Sequence, residues 1–174
     1  MQGLSPSSVG GGLSLMNNPQ LMDLSAASGL TSLGGALSLI GNTSILSLEE
    51  LSGITAVDGL VRVTGSSGLM SLDGLRNIDA STILDLIIVN NPGLFQCAVE
   101  SLCDYLAIPA SMANITGNAT GCASRTEVEE ACILASVDGP WTTLGAMSIE
   151  IFPNPSKGAI AITGDLSGLV DIRI

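Results

Sequence analysis

The stretch Leu30-Thr31-Ser32-Leu33-Gly34-Gly35-Ala36-Leu37-Ser38-Leu39-Ile40-Gly41-Asn42 decides how the chain is read. Its L-x-L tripeptide recurs at a spacing of 24 residues, so that Leu13, Leu37 and Val61 form one column and Leu15, Leu39 and Val63 the next. A fourth copy follows one residue late, at Leu86 and Ile88. The same register aligns Leu21, Ile45, Leu69 and Leu94, then Leu24, Leu48, Leu72 and Cys97, and further on Leu30, Ile54 and Ile78. Asn18, Asn42, Ser66 and Asn91 share a column. The unit L-x-L-x-x-N-x-x-L-x-x-L-x(5)-[LI]-x-x-[LV] thus repeats nearly four times between Gly11 and Cys97.

Alternating L-x-L points two side chains to one side of a short strand. The later apolar positions, three apart, read as corners and further extended pieces of the same turn. One unit cannot cover its own aliphatics, whereas stacked units bury them against their equivalents, at about 1.5–3 kcal/mol per side chain. The Asn column falls where the chain turns, and a stacked Asn side chain can bond the backbone groups left free there. Ser66 interrupts it with a shorter group, which predicts a weaker third unit. Gly35, Gly53, Gly59 and Gly74 suit tight corners. With no sustained helical period between Gly11 and Cys97, the expected fold is mainly β, a right-handed β-solenoid with coils of about 24 residues.

These residues also carry a family resemblance. The quoted stretch, and its recurrence as Ile54-Thr55-Ala56-Val57-Asp58-Gly59-Leu60-Val61-Arg62-Val63, resembles the phrase L-x-x-[IV]-G-G-x-L-x-[IL]-x-x-N of the receptor L domain. That family is a β-helix of leucine-rich-repeat type. The resemblance covers about half the chain and implies an architecture but no ligand.

After residues 1–97 of repeats, residues 98–136 read as a cap over the end of the stack. Val99, Leu102, Cys103 and Leu106 share one face of a short helix. Ser124-Arg125-Thr126-Glu127 reads as a capping box opening a second helix, with Val128 and Cys132 on its buried face. Cys97, Cys103, Cys122 and Cys132 contain no CxxC pair, and the chain has no His. Two disulfides are therefore expected in preference to a metal site. Three connectivities are open; Cys97–Cys122 with Cys103–Cys132 is preferred because the second bridge would join the two helices. Asn42, Asn114 and Asn118 open N-x-[ST] tripeptides, with Asn42 expected to face inward.

Residues 137–147 read as a linker around Asp138-Gly139-Pro140, and 148–174 as a separate β unit with strand-like pieces at 148–152, 159–163 and 169–174. Phe152-Pro153-Asn154-Pro155-Ser156-Lys157-Gly158-Ala159-Ile160-Ala161-Ile162 resembles the opening of the type A C-terminal sorting domain of the bacterial type IX secretion system. Pro153, Asn154, Pro155 and Gly158 match its motif. The resemblance implies a partial C-terminal β-sandwich, recognition by the type IX machinery, and a Bacteroidetes-type protein secreted or held on the outer-membrane surface of a Gram-negative cell. Met1–Pro6 shows neither the cationic nor the apolar segment of a signal peptide. Since disulfides require export, the chain is expected to be a fragment.

Composition narrows function by exclusion. Five Lys+Arg against sixteen Asp+Glu give a net charge of −11, which argues against nucleic acid and anionic membrane surfaces as partners. The longest apolar run, Leu86-Ile87-Ile88-Val89, is too short for membrane insertion. No cofactor or catalytic residue is expected. Without His the commonest general base is missing, and Asp58, Asp73, Asp79 and Asp85 fall at different points of the unit. The repeats also lack the aromatic platforms of sugar-acting enzymes.

The candidate binding face comprises the outward positions Ser14, Met16, Ser38, Ile40, Leu60, Arg62, Thr64, Ile87 and Val89. Within it Met16, Ile40, Leu60, Ile87 and Val89 form an apolar strip with Arg62 in its middle, flanked by Ala36 and Asp85, and such a patch marks a partner surface unless other elements or a second copy cover it. The expected function is that of an exported, non-enzymatic repeat protein that displays this face for protein binding or adhesion. Alternatives are a spacer that carries an upstream catalytic domain, or a polysaccharide-acting enzyme.

Overall fold

The computed structural model describes residues 8–137, 150–153 and 160–163. The chain divides into two units, Met1–Val137 and Asp138–Ile174. In chain order the first holds β1 (Ser8–Val9), β2 (Leu13–Met16), β3 (Ser32–Leu33), β4 (Leu37–Ile40), β5 (Ala56–Val57), β6 (Gly59–Thr64), β7 (Ile83–Val89), α1 (Glu100–Ala107), β8 (Ala113–Thr116) and α2 (Arg125–Val137).

Two parallel sheets result, one of three strands ordered β1-β3-β5 and one of five ordered β2-β4-β6-β7-β8. The L-x-L columns set the register of the larger sheet. Leu13 pairs with Leu37, Leu37 with Val61, Val61 with Leu86, and Leu86 with Ala113. The one-residue lag of the fourth copy is absorbed by an irregularity at Gly59/Leu60, where Gly59 pairs with Ile83 and Leu60 with Asp85.

The β-solenoid expectation is corrected by this arrangement. The strands form two separate parallel sheets with helical segments between and beyond them, an α/β fold in which no closed solenoid forms. Apolar residues three apart, as in Leu48, Leu51 and Ile54, suit corners and extended pieces, but a spacing of three is also the repeat of a 3₁₀ helix. Such turns occur at Ser25–Ala27, Glu49–Leu51 and Asp73–Leu75, again 24 residues apart, with a fourth at Ala80–Thr82. Each of the first three is opened by a side chain two residues ahead. Asp23 Oδ1 accepts from the Ser25 N–H (3.0 Å), Ser47 Oγ from the Glu49 N–H (3.1 Å) and Ser71 Oγ from the Asp73 N–H (3.0 Å). The Ser25 bonds hold the Asp23 carboxyl below the usual carboxylate range.

A second column marks the strand ends. Asn17, Gly41, Gly65, Asn90 and Gly117 all have φ between 55° and 69°, the left-handed region that Gly and Asn enter at least cost. The next residue in each case belongs to the Asn column. Asn42 Oδ1 accepts from the Asn18 N–H (3.2 Å) while its Nδ2 donates to the Leu15 carbonyl (2.8 Å). Asn91 does the same for Ser66 N–H (2.9 Å) and Val63 C=O (3.0 Å), and Asn118 for Asn91 N–H (3.0 Å) and Ile88 C=O (2.8 Å). Each side chain thus ties its own repeat to the one before. Ser66 is too short for this role, and its Oγ is buried without a partner. Ser66→Asn is expected to restore the missing link and stabilise by about 1 kcal/mol, read as a rise in the melting midpoint.

The core consists of the same columns, with Leu37, Leu48, Leu51, Ile54, Leu69, Leu72 and Leu86 almost fully buried. Above β7 it continues into α1 through Leu102, Tyr105 and Leu106. Ser101 Oγ donates to the Leu75 carbonyl at 2.7 Å, and the Tyr105 hydroxyl donates to the Met112 carbonyl at 2.7 Å. Burial first, then the Asp85 charge, pushes the Tyr105 phenol upward. At the start of α2 the Ser124 Oγ accepts from the Glu127 N–H (3.2 Å), and the Glu127 carboxylate reaches back to the Ala123 N–H (2.6 Å). Backbone donors at Gly121 and Ala123 hold that carboxyl low.

Cys97 is bridged to Cys122 and Cys103 to Cys132, each pair with Cα atoms 5.5 Å apart. The second bridge joins α1 to α2. Arg125 adds to this junction by donating to Glu129 (2.6 Å) and to the Ser111 carbonyl (2.7 Å). In the second unit, β9 (Glu150–Pro153) and β10 (Ile160–Thr163) pair antiparallel, Ile162 opposite Ile151. Pro153 ends β9, while Asn154, Pro155, Gly158 and the third strand-like piece at 169–174 lie outside the described residues.

Candidate functional site

Parallel sheets are normally covered on both faces. In the five-stranded sheet the inward positions of β4, β6 and β7 are buried in the core, while the outward positions stay exposed or half-buried. The pairing places Ser14, Ser38, Arg62, Ile87 and Asn114 in one outward row and Met16, Ile40, Thr64, Val89 and Thr116 in the next. Leu60 and Asp85 pair on the other side of the Arg62 row. All nine residues predicted from the sequence therefore lie on one face. At about 4.8 Å between strands, five strands give a surface roughly 19 Å across.

Arg62 is central to it. The other cations of the first unit have partners, Arg76 with Glu49 at 2.8 Å and Arg125 with Glu129 at 2.6 Å. Arg62 forms no ion pair among the described residues, and its Nε is buried without a hydrogen-bond partner. The Asp85 carboxylate, one row away, accepts from the Leu86 N–H at 2.8 Å. The guanidinium is half-buried between Ser38 and Ile87, and its geometry suits donation to an acceptor such as a carboxylate.

The four candidate catalytic carboxylates are not gathered. Asp73 accepts from Gln96 Nε2 (3.1 Å), Asp79 from Ser81 (2.9 Å), Asp85 from Leu86, and Asp58 is exposed. No cluster of metal-binding side chains occurs among the described residues. Of the three N-x-[ST] sites, Asn42 is fully buried and Asn118 is tied into the side-chain column, whereas Asn114 is exposed on β8.

Two parts of the surface escaped the sequence reading. The fifth strand, β8, adds Asn114 and Thr116 to the face, and its offset of 27 residues from β7 departs from the period of 24. The second is a stripe of large exposed apolar residues at one position of each repeat: Met22 (71% exposed), Leu46 (56%), Met70 (46%) and Phe95 (53%). Its signal was present as the column directly after Leu21, Ile45, Leu69 and Leu94, which the repeat consensus treated as unconstrained.

Fold and site together define a stacked-repeat α/β protein with a parallel-sheet face that no described strand or helix covers and a disulfide-bridged helical end. No protein-family model, curated protein or solved structure matches the chain. The two bridges indicate an oxidising environment. Among the described residues no helix is long and apolar enough to cross a membrane.

Proposed function

We propose that this chain is an exported, non-enzymatic repeat protein whose five-stranded face binds a protein or cell-surface ligand. The observation that carries the reading is Arg62, a cation with no ion pair among the described residues, in the middle of a sheet face that also carries Met16, Ile40, Leu60, Ile87 and Val89. The ligand that suits this face presents a carboxylate or similar acceptor beside apolar surface. The Pro153-Asn154-Pro155 motif supports delivery by type IX secretion to the exterior or the outer-membrane surface, and the disulfides agree with such a destination.

Capture of envelope and extracellular proteins by the immobilised chain tests the binding face. Arg62→Glu and Ile40→Asp are each expected to reduce the captured set at least tenfold while leaving the circular dichroism spectrum unchanged, because both side chains point away from the core. Equal capture by wild type and both variants would remove the face from the argument and leave a rigid spacer.

A further inference from the structure

The contact between successive repeats has three parts: parallel strand bonds, aliphatic columns buried against one another, and, except at Ser66, an Asn side chain that reaches back to the preceding repeat. At the first repeat all three are present on one side only among the described residues. β1 and β2 end their sheets. The Leu13 and Asn17 N–H groups bond the second repeat, at 2.9 and 2.7 Å, so parallel alternation turns the Ser14 and Met16 amides to the open side. Leu13, Leu15 and Leu21 are half-buried, whereas their equivalents Leu37, Leu39 and Ile45 are 0–1% exposed. An open apolar hollow of about 270 Å³ lies against them, lined also by Leu24, Ala27 and Leu30. Asn18, the first member of the column, is exposed, and its side-chain amide forms no hydrogen bond among the described residues. The opposite end of the stack is closed by α1, α2 and the two bridges.

We infer that the first repeat is a docking edge for one further repeat of the stack's own pattern, added as a parallel strand against β2. The interface already formed four times within the sheet specifies the occupant. It brings an L-x-L pair that completes the burial of Leu13 and Leu15. Its second Leu carbonyl accepts from Asn18 Nδ2, and its turn N–H donates to Asn18 Oδ1, as Leu15 and Asn18 do toward Asn42. A second copy of the chain does not fit as well. Its C-terminal end is capped, and a two-fold pairing of β2 edges would be antiparallel and leave Asn18 idle.

The test duplicates residues 11–34 in tandem within the full chain, so that Gly34 precedes the second Gly11. The duplicated chain is expected to melt in one transition, more than about 5 °C above the parent. Asn18→Ala is expected to leave the parent midpoint unchanged, yet to lower that of the duplicated chain when made in its second copy. An unchanged midpoint on duplication would overturn the inference, as would an equal effect of Asn18→Ala in both chains. A parent midpoint that rises with protein concentration would also overturn it, since a second copy would then hold the edge. Should the duplicated chain fail to fold, a peptide of residues 11–34 is added to the parent chain. Slowed hydrogen exchange at the Ser14 and Met16 amides supports the inference, and unchanged exchange at millimolar peptide overturns it. Arg62→Glu should affect none of these readings, which keeps the two surfaces separable.

Discussion

Reduction of both disulfides is expected to lower the melting midpoint by more than about 15 °C, the largest effect of any single change to this protein. The bridges close loops with sequence separations of 25 and 29 residues. Loop-closure entropy for such lengths amounts to about 3.5 kcal/mol per bridge. Together they approach the lower half of the stability of an ordinary domain, roughly 5–15 kcal/mol. The dependence is concentrated at one end. Cys97 continues the fully buried column of Leu24, Leu48 and Leu72, and its bridge ties that column to the segment after β8. The fifth strand contributes only Ile115 to the buried core, and Ala113 packs against it half-buried. Thermal unfolding with and without a phosphine reductant measures the effect, and peptide mapping under non-reducing conditions checks the pairing. A reduced protein that melts within a few degrees of the oxidised one would show that the helical end is held by packing alone.

Asn91→Ala is expected to cost about 3 kcal/mol. Asn91 is fully buried, and its amide serves Ser66 N–H, Val63 C=O and Asn118 Oδ1 at 2.9–3.0 Å. Truncation leaves a buried backbone donor without an acceptor, and that orphaned donor dominates the cost because water cannot replace the lost bond. Chemical denaturation should show a lower midpoint at an unchanged slope. The column supplies its own control, since Asn18→Ala removes the same side chain where it forms no hydrogen bond among the described residues. Comparable losses at the two positions would mean that Asn91 acts by packing rather than by hydrogen bonding.

The candidate face was legible in the sequence to the extent that it follows strand alternation. Once Leu37 and Leu39 are inward, Ser38 and Ile40 are outward, and the period of 24 carries this from repeat to repeat. The isolation of Arg62 was not legible, because ion pairing depends on which carboxylates the fold brings near. Arg76 finds Glu49 from 27 residues away, while Arg62 finds none among the described residues. The stripe from Met22 to Phe95 was legible in principle, but only solvent exposure separates it from one more core column.

The chain's own periodicity established which residues stack on which. A column is a one-dimensional property, and burying an aliphatic row against its equivalents rewards only the in-register alignment. It also established the turns at the Asn column, where left-handed backbone calls for Gly or Asn. Tertiary structure decided the rest. Residues three apart satisfy a corner and a 3₁₀ turn equally, and the choice fell to hydrogen bonds accepted by Asp23, Ser47 and Ser71 that a hydrophobic pattern does not encode. The strand β8 joined the sheet at a broken period because its edge bonds and the Asn118 link compensate for the irregular spacing. The chain passes between the two sheets both through the 3₁₀ segments and through the short links 34–36 and Asp58, and only the strand pairing shows that the pieces on either side belong to different sheets.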